Sequence, residues 1–156
     1  MSASHSLLKS LLTQVSNAAL GTLDGETPFV SMTPFAVAAD GRSLFVHVSR
    51  LAAHTRHMHS HPAVSLLVME PEAPGKMPQG LARVTIQGKA RTLSQQDPVY
   101  AGARERYLAK FPSAAELFHF PDFDLVQIEV LSARLVGGFA QASSLSAETF
   151  ARAVAG

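Results

Sequence analysis

The sequence has no cysteine and few charged residues. Lysine and arginine number 13 against 12 aspartates and glutamates in 156 residues, so the formal net charge is only +1. Without cysteine, thiol catalysis, disulfides, zinc–thiolate sites and iron–sulfur clusters are excluded, and a cytoplasmic location is expected. Without a charge excess, neither nucleic acid nor a membrane is expected as a partner. Any anion must therefore be bound by a local cluster of groups.

Long hydrophobic runs are also missing. Lys9 interrupts the apolar stretch at 7–12, and no small-residue cleavage site follows it, so we predict neither a signal peptide nor a membrane span. A hydrophobic content of 47% is enough for one core, and we expect a single domain over 1–156. Because a chain this short leaves little room for a deep pocket of its own, sites between subunits are favoured.

The spacing of apolar residues changes along the chain, from helical to strand-like and back. Helices are predicted in 1–17, 51–61, 96–110, 114–118 and 146–155, and strands in 18–23, 29–38, 43–49, 64–69, 81–93 and 123–136. Asp-Gly pairs at 24–25 and 40–41 mark hairpin turns. Six strands without regular strand–helix alternation predict a mainly β fold, an antiparallel barrel with peripheral helices.

The segment 49–56, Ser-Arg-Leu-Ala-Ala-His-Thr-Arg, follows one of these strands and concentrates polar groups in a turn. A strand that leads into a helix start presents free backbone N–H groups, and Ser, Thr and Arg side chains add donors for a phosphate. Arg50 and Arg56 have no obvious carboxylate nearby in the sequence, which favours an external anion. The alternative is an ordinary helix start, with Ser49 as its cap and both arginines in solvent.

Four histidines lie close together, at His54, His57, His59 and His61. Three of them share one helical face, and imidazole is a common metal ligand. No carboxylate within the cluster is available to orient a ring. We therefore expect an exposed polar helix and no metal site.

The strand 81–93 has one polar and one apolar face. Arg83, Thr85 and Gln87 alternate with Val84 and Ile86. The polar face can supply a guanidinium to an anion, or it can simply be solvated. Taken alone, the alternation favours the solvated face.

Four stretches together resemble the pyridoxamine-phosphate-oxidase-related FMN-binding split barrels. They are Phe-Val-Ser-Met-Thr-Pro-Phe at 29–35, Val-Ser-Arg-Leu-Ala-Ala-His-Thr-Arg at 48–56, Ala-Arg-Val-Thr-Ile-Gln-Gly at 82–88 and Arg-Leu-Val-Gly-Gly-Phe at 134–139. The resemblance covers most of the chain, and the order and spacing of the four stretches make it fairly specific. The resemblance implies a six-stranded antiparallel split barrel that forms a homodimer with FMN at the subunit interface.

The resemblance also implies roles for particular residues. The segment after the third strand would meet the FMN phosphate and ribityl chain, and Arg83 would add a second guanidinium. Backbone groups of Ser31, Met32 and Thr33 would line the isoalloxazine. Phe139, which follows the paired glycines at the end of the last strand, is a candidate to cover the flavin ring or its substrate side. The cofactor-binding residues implied after the third strand are Val48, Ser49, His54, Thr55 and Arg56.

Three of the matching stretches most resemble the branch of the family that contains haem-utilisation proteins, which has both flavin-binding and haem-binding members. In the haem-binding members a histidine of the C-terminal segment is the axial ligand, whereas this chain has no histidine after His119. We therefore expect first a flavoprotein, an FMN-dependent oxidoreductase acting on a small substrate. The alternatives are a haem-binding or haem-utilisation protein, with His47, His119 or the histidine cluster as ligand, and a non-enzymatic flavin-binding protein.

No general acid or base stands out, so no catalytic residue is assigned. The C-terminal segment also lacks the arginine- and tryptophan-containing signature of true pyridoxamine-phosphate oxidases. Oxidation of pyridoxamine phosphate is therefore not expected.

Overall fold

The computed structural model describes residues 2–138 and 141–155, which form one antiparallel sheet with helices around it. The strands are β1 (Asn17–Asp24), β2 (Thr27–Pro34), β3 (Ala36–Val37), β4 (Ser43–Ser49), β5 (Ala63–Met69), β6 (Arg83–Leu93), β7 (Phe123–Gly138) and β8 (Gln141–Ser146). The α-helices are α1 (Ala3–Gln14), α2 (Ala53–Ser60), α3 (Tyr100–Lys110) and α4 (Ala147–Val154). The strand order is β2-β1-β5-β6-β7-β4-β3, and β8 pairs with the second half of β7.

A single residue, Phe35, closes this sheet into a barrel. It separates β2, which pairs with β1 at one edge, from β3, which pairs with β4 at the other edge. Phe35 is fully buried, and its N–H donates to the carbonyl of Ser16 at 3.1 Å. The chain therefore passes from one edge to the other at this corner, and the strand predicted over 29–38 is broken here.

The mainly antiparallel β fold with peripheral helices is confirmed, but the count of six strands is wrong, because eight strands are present among the described residues. The break at Phe35 adds one strand, and β8 adds the other. β8 has the sequence QASSLS and is mostly exposed, so it has neither the apolar run nor the alternation by which strands are recognised.

The predicted helices differ from the observed ones mainly at their ends. The N-terminal and C-terminal helices are present as α1 and α4. α3 begins at Tyr100, four residues later than predicted, because Asp97 makes a turn in which its carboxylate accepts the N–H of Val99 at 2.9 Å. The predicted helix at 114–118 is a 3-10 helix, Pro112–His119.

Two apolar clusters lie on opposite faces of the sheet. The barrel interior is filled by one face of the strands, together with side chains of α1 and α4. The second cluster lies outside the barrel, under α3 and the 3-10 helix. No α-helix in the part of the chain that the structure describes is long and apolar enough to cross a membrane.

Candidate functional site

Five of the ten predicted cofactor-binding residues flank the turn between β4 and α2, at the end of β4 or in the first half of α2. Ser49 organises this turn, because its hydroxyl accepts a backbone N–H two residues on at 3.2 Å and its carbonyl accepts the Thr55 hydroxyl at 2.6 Å. The helix cap is Ala52, not Ser49, and it makes no side-chain hydrogen bond. The N–H groups of Ala53 and His54 consequently have no acceptor among the described residues, and they are available to an anion.

The two arginines of the turn have different partners. Nε of Arg50 donates to Oδ1 of Asp124 at 3.0 Å, and Nη2 of the same guanidinium lies 2.9 Å from that oxygen. The expectation that both arginines lack a carboxylate is therefore wrong for Arg50. Arg56 is exposed, and its guanidinium donates to the carbonyl of Leu51 at 3.2 Å. Across residues 2–138 and 141–155, no carboxylate lies within ion-pairing distance of Arg56.

Ser31 on β2 and His54 on α2 are joined by a hydrogen bond of 2.8 Å between Oγ and Nδ1. Burial lowers the pKa of His54, and the neighbouring His57 lowers it further. The imidazole is therefore neutral at pH 7. Its Nε2 has no hydrogen-bond partner in the described part of the chain, so one ring nitrogen is anchored and the other is free.

The other histidines of the cluster do not converge on one point. His57 is buried and bonds through Nδ1 to the hydroxyl of Thr22 at 2.8 Å. His59 bonds to Thr92 at 3.1 Å, and His61 is exposed beyond the end of α2. On α2, His57 is therefore buried whereas His59 is exposed, so the helix is only in part the exposed polar helix expected from the sequence. No group of three metal-ligating side chains is present within the described ranges.

Three predicted residues, Val48, Thr33 and Thr55, have buried side chains. The hydroxyl of Thr33 donates to the carbonyl of Pro34 at 3.0 Å, as that of Thr55 does to Ser49. Because each whole residue is at most 3% exposed, neither its side chain nor its backbone presents much surface to a ligand. The contacts that the resemblance implies for them stay predictions.

The outer face of the barrel has an exposed apolar area beside β2. Val30 is 70% exposed and Met32 is 59% exposed. Met69 on β5 is also exposed and lies directly opposite Arg83 on β6, so that both share this outer face. The Arg83 guanidinium donates to the carbonyls of Gln79 and Leu81, at 3.2 Å and 2.9 Å.

Arg83 and His54 lie on opposite sides of the sheet. Ser31, the partner of His54, is paired with Leu20, a residue of the barrel interior. Within one chain, the structure thus separates Arg83 from the β4–α2 turn instead of bringing them together. Phe139, the remaining predicted residue, lies outside the described residues.

Two further histidines, His47 and His119, are the alternative haem ligands outside the cluster. His47 is buried and stacks on Phe118 with ring centroids 3.8 Å apart, whereas His119 is exposed on the 3-10 helix. In this structure, the imidazole of His47 is enclosed by aromatic rings and is not presented to a large ligand. His54 is therefore the best-placed imidazole next to the predicted anion site.

Asp124 is a site residue that the sequence analysis missed. Its side chain is only 8% exposed, and it lies at the start of β7, opposite Val48. An acidic residue within the apolar stretch 123–126 is the signal that could have revealed it, because buried carboxylates are almost always paired.

The antiparallel barrel with its peripheral helices places the protein in the class of the split barrels. The chain belongs to the pyridoxamine 5'-phosphate oxidase family, whose model matches residues 5–137. The resemblance drawn from the four stretches is thereby confirmed.

The relatives include haem proteins. A non-canonical chloroplastic haem oxygenase of Arabidopsis thaliana is 40% identical over 116 residues, which is 74% of this chain but 33% of that protein. The haem oxygenase HutZ of Vibrio cholerae is 27% identical over 83% of this chain and 73% of its own length. A solved haem-binding protein of Mycobacterium smegmatis has a TM-score of 0.85 at 25% identity, covering 97% of this chain and 61% of that one. The chain thus spans a third of the Arabidopsis relative, and the similarity agrees with the haem-utilisation branch.

Proposed function

We propose that this chain is a haem-binding protein that acts in haem utilisation, with the oxidative breakdown of haem as its candidate activity. The observation that carries the proposal is the neutral imidazole of His54, which is anchored through Nδ1 and free at Nε2. Its support from outside the structure is the similarity to two proteins named as haem oxygenases. This places haem ahead of the FMN expected from the sequence.

The residues at this site fit a haem. A histidine that ligates a metal usually donates its other ring N–H to a neighbouring acceptor, and Ser31 is placed to be that acceptor. Arg56 has no carboxylate partner among the described residues and would pair with a propionate. When bound, haem supplies a redox-active iron whose chemistry the surrounding pocket controls. His54 and Ser31 would hold and orient it, and Arg56 would fix its edge.

We also propose that the protein is a homodimer whose interface is the outer face with Val30, Met32 and Met69. Exposed apolar side chains grouped on one face are a mark of an interaction surface. Arg83 lies on this face, away from the His54 of its own chain. In a dimer built through this face, Arg83 would serve the site of the partner subunit.

A flavin is the second candidate ligand. The free N–H groups at the start of α2 and the unpaired Arg56 suit the phosphate of FMN as well as a propionate. On this alternative the chain is an FMN-dependent oxidoreductase or a non-enzymatic flavin-binding protein. It differs from the haem proposal in that no imidazole nitrogen is required.

Titration of the purified protein with haemin and with FMN tests the proposal. We expect a sharp Soret band with haemin, and its loss in His54→Ala but not in the control His61→Ala, which removes an exposed histidine beyond α2. Loss of the haem spectrum over time with ascorbate in air would support breakdown, whereas a stable spectrum would indicate storage or delivery. Quenching of FMN fluorescence without haemin binding would make the flavin alternative the better one.

Subunit mixing tests the shared site. Arg56→Ala and Arg83→Ala should each weaken ligand binding while leaving the dimer intact. If each site uses Arg56 of one chain and Arg83 of the other, dimers that combine the two variants regain one intact site of two. If mixing restores nothing, or Arg83→Ala binds normally, the assignment of Arg83 to the partner's site is wrong.

A further inference from the structure

A cavity opens beside β4 and the 3-10 helix, and Arg50 of the turn after β4 forms part of its wall. Its volume is about 440 Å³, which lies at the lower end of the range for small-molecule sites. Its walls include four aromatic rings, those of His47, Tyr100, Phe118 and Phe123. None of these four residues is a predicted FMN contact, and only His47 is among the alternative haem ligands.

His47 makes this cavity more than a packing gap. Its side chain is 7% exposed, and its Nδ1 is enclosed without a hydrogen-bond partner among the described residues. Phe118 stacks flat on the ring at an interplanar angle of 5°, and Phe123 lies 5.2 Å away, centroid to centroid. Buried polar atoms are nearly always paired in folded proteins. Nε2 of the same ring also has no hydrogen-bond partner among the described residues and, unlike Nδ1, is not fully enclosed, so it is the nitrogen that a ligand in the cavity can meet.

The charges around the cavity balance. Arg50 and Asp124 both line it and neutralise each other through their ion pair. The second carboxylate oxygen, Oδ2, lies 3.8 Å from Nε2 of His59. Thr92 and Gln96 also line the cavity and add uncharged polar groups. Such a cavity gives no net field to attract an anion or a cation, and it favours an uncharged ligand.

We infer that this cavity binds a small, uncharged, planar heteroaromatic molecule of one or two rings, which packs against the aromatic walls and forms a hydrogen bond with His47. The aromatic walls provide the stacking surface. The unpaired nitrogen of His47 provides specificity, because a ligand without a hydrogen-bonding group leaves it unsatisfied. The inference does not depend on the proposed haem or flavin function.

Benzimidazole is a suitable probe, since it is planar, neutral above pH 7 and carries ring nitrogens that donate and accept. Indene has the same shape without nitrogen, and benzoate adds a negative charge. Binding is followed by NMR, with ¹⁵N-labelled histidine reporting directly on the His47 ring. We expect benzimidazole to bind with a Kd of about 1 mM or tighter, to shift the His47 nitrogens, and to bind better than both comparators.

Two variants make the site assignment testable. His47→Phe keeps a ring against Phe118 but removes the nitrogens, and should weaken benzimidazole binding about tenfold. Gln96→Trp fills the cavity from its exposed edge and should abolish binding even if His47→Phe fails to fold. Gln14→Trp is the matched control on the exposed side of α1. It should leave binding unchanged.

Several results would overturn the inference. These are no saturable binding at millimolar benzimidazole, equal affinity for indene, or normal binding by Gln96→Trp. Displacement of benzimidazole by haemin would also overturn it, by making the cavity part of the proposed haem site. Conversely, benzimidazole binding that survives His54→Ala supports a separate site whether or not the chain binds haem.

Discussion

Ser31 on β2 and His54 on α2 are 23 residues apart in the sequence, yet Oγ and Nδ1 are 2.8 Å apart in the folded chain. The bond links the strand that carries the exposed Val30 and Met32 to the first turn of α2. It fixes which nitrogen of the imidazole faces the protein. The other nitrogen, Nε2, remains free to bind a ligand.

Removing this hydroxyl should weaken haem binding without unfolding the protein. Ser31→Ala frees the His54 ring to rotate, and loss of an outer hydrogen-bond partner typically lowers metal affinity about tenfold or more. We expect the haemin Kd to rise by about that factor in a Soret titration. Ser60→Ala, at the exposed end of the same helix, is the control and should bind like the parent protein. If all three proteins bound haemin equally well, the hydrogen bond from Ser31 would not position His54 as a haem ligand.

Arg50 and Arg56 belong to the same turn but should differ in their contribution to stability. Arg50→Met leaves the carboxylate of Asp124 buried without its partner, so we expect it to lower the unfolding free energy by clearly more than Arg56→Met does. Arg56→Met removes a hydrogen bond at the surface and should change stability by about 0.5 kcal/mol or less.

Urea denaturation measures both values. Adding Asp124→Asn to Arg50→Met should recover much of the loss, because the unpaired charge is then gone. If Arg50→Met and Arg56→Met were equally stable, the ion pair with Asp124 would have no structural role.

The sequence was sufficient to predict the barrel class because most strands contain either apolar runs or alternation. It was insufficient at Phe35 and at β8. A buried phenylalanine suits the middle of a strand as well as a corner, so nothing local marks the break at Phe35. β8 is held by its pairing with β7, which is a non-local cause.

The candidate site was predictable in part, for a similar reason. The turn after β4 concentrates donors in one stretch of sequence, and the structure places a helix start there. The Ser31–His54 bond and the Arg50–Asp124 pair join residues that are distant in sequence, so no local motif contains either of them. Asp124 in particular converts one of the two expected anion-binding arginines into a structural one.

Two glycines with left-handed backbone test how α4 is held. Gly25, in the β1–β2 turn, has φ 63°, and a Cβ there would meet nothing within 4 Å. Gly41 has φ 71°, but a Cβ would lie 2.6 Å from the carbonyl oxygen of Ala151 and 2.6 Å from Cγ2 of Val154. Both are thus strained by alanine, but only Gly41 also contacts α4.

Gly25→Ala should therefore cost about 1 kcal/mol, the penalty for the backbone alone. Gly41→Ala should cost about 3 kcal/mol, because overpacking against α4 adds to that penalty. Thermal or urea unfolding of the two variants gives the difference directly. Equal losses would mean that α4 moves away from the turn at little cost.

His47 should make the protein less stable in acid. Burial lowers its pKa from 6.5 to about 4, and Asp124 only partly opposes this. Between these two pH values the unfolded chain binds the proton more readily than the folded chain, so stability falls as the pH drops from 6.5 to 4. A shift of this size corresponds to at most about 3 kcal/mol.

His47→Phe keeps the stack on Phe118 and cannot titrate, so its unfolding free energy should fall less between pH 7 and pH 4.5 than that of the parent protein. His61→Phe, at an exposed position, should behave like the parent. Identical pH dependence in all three proteins would show that the folded chain accommodates a charged His47. The imidazole would then not be enclosed and neutral in the folded protein.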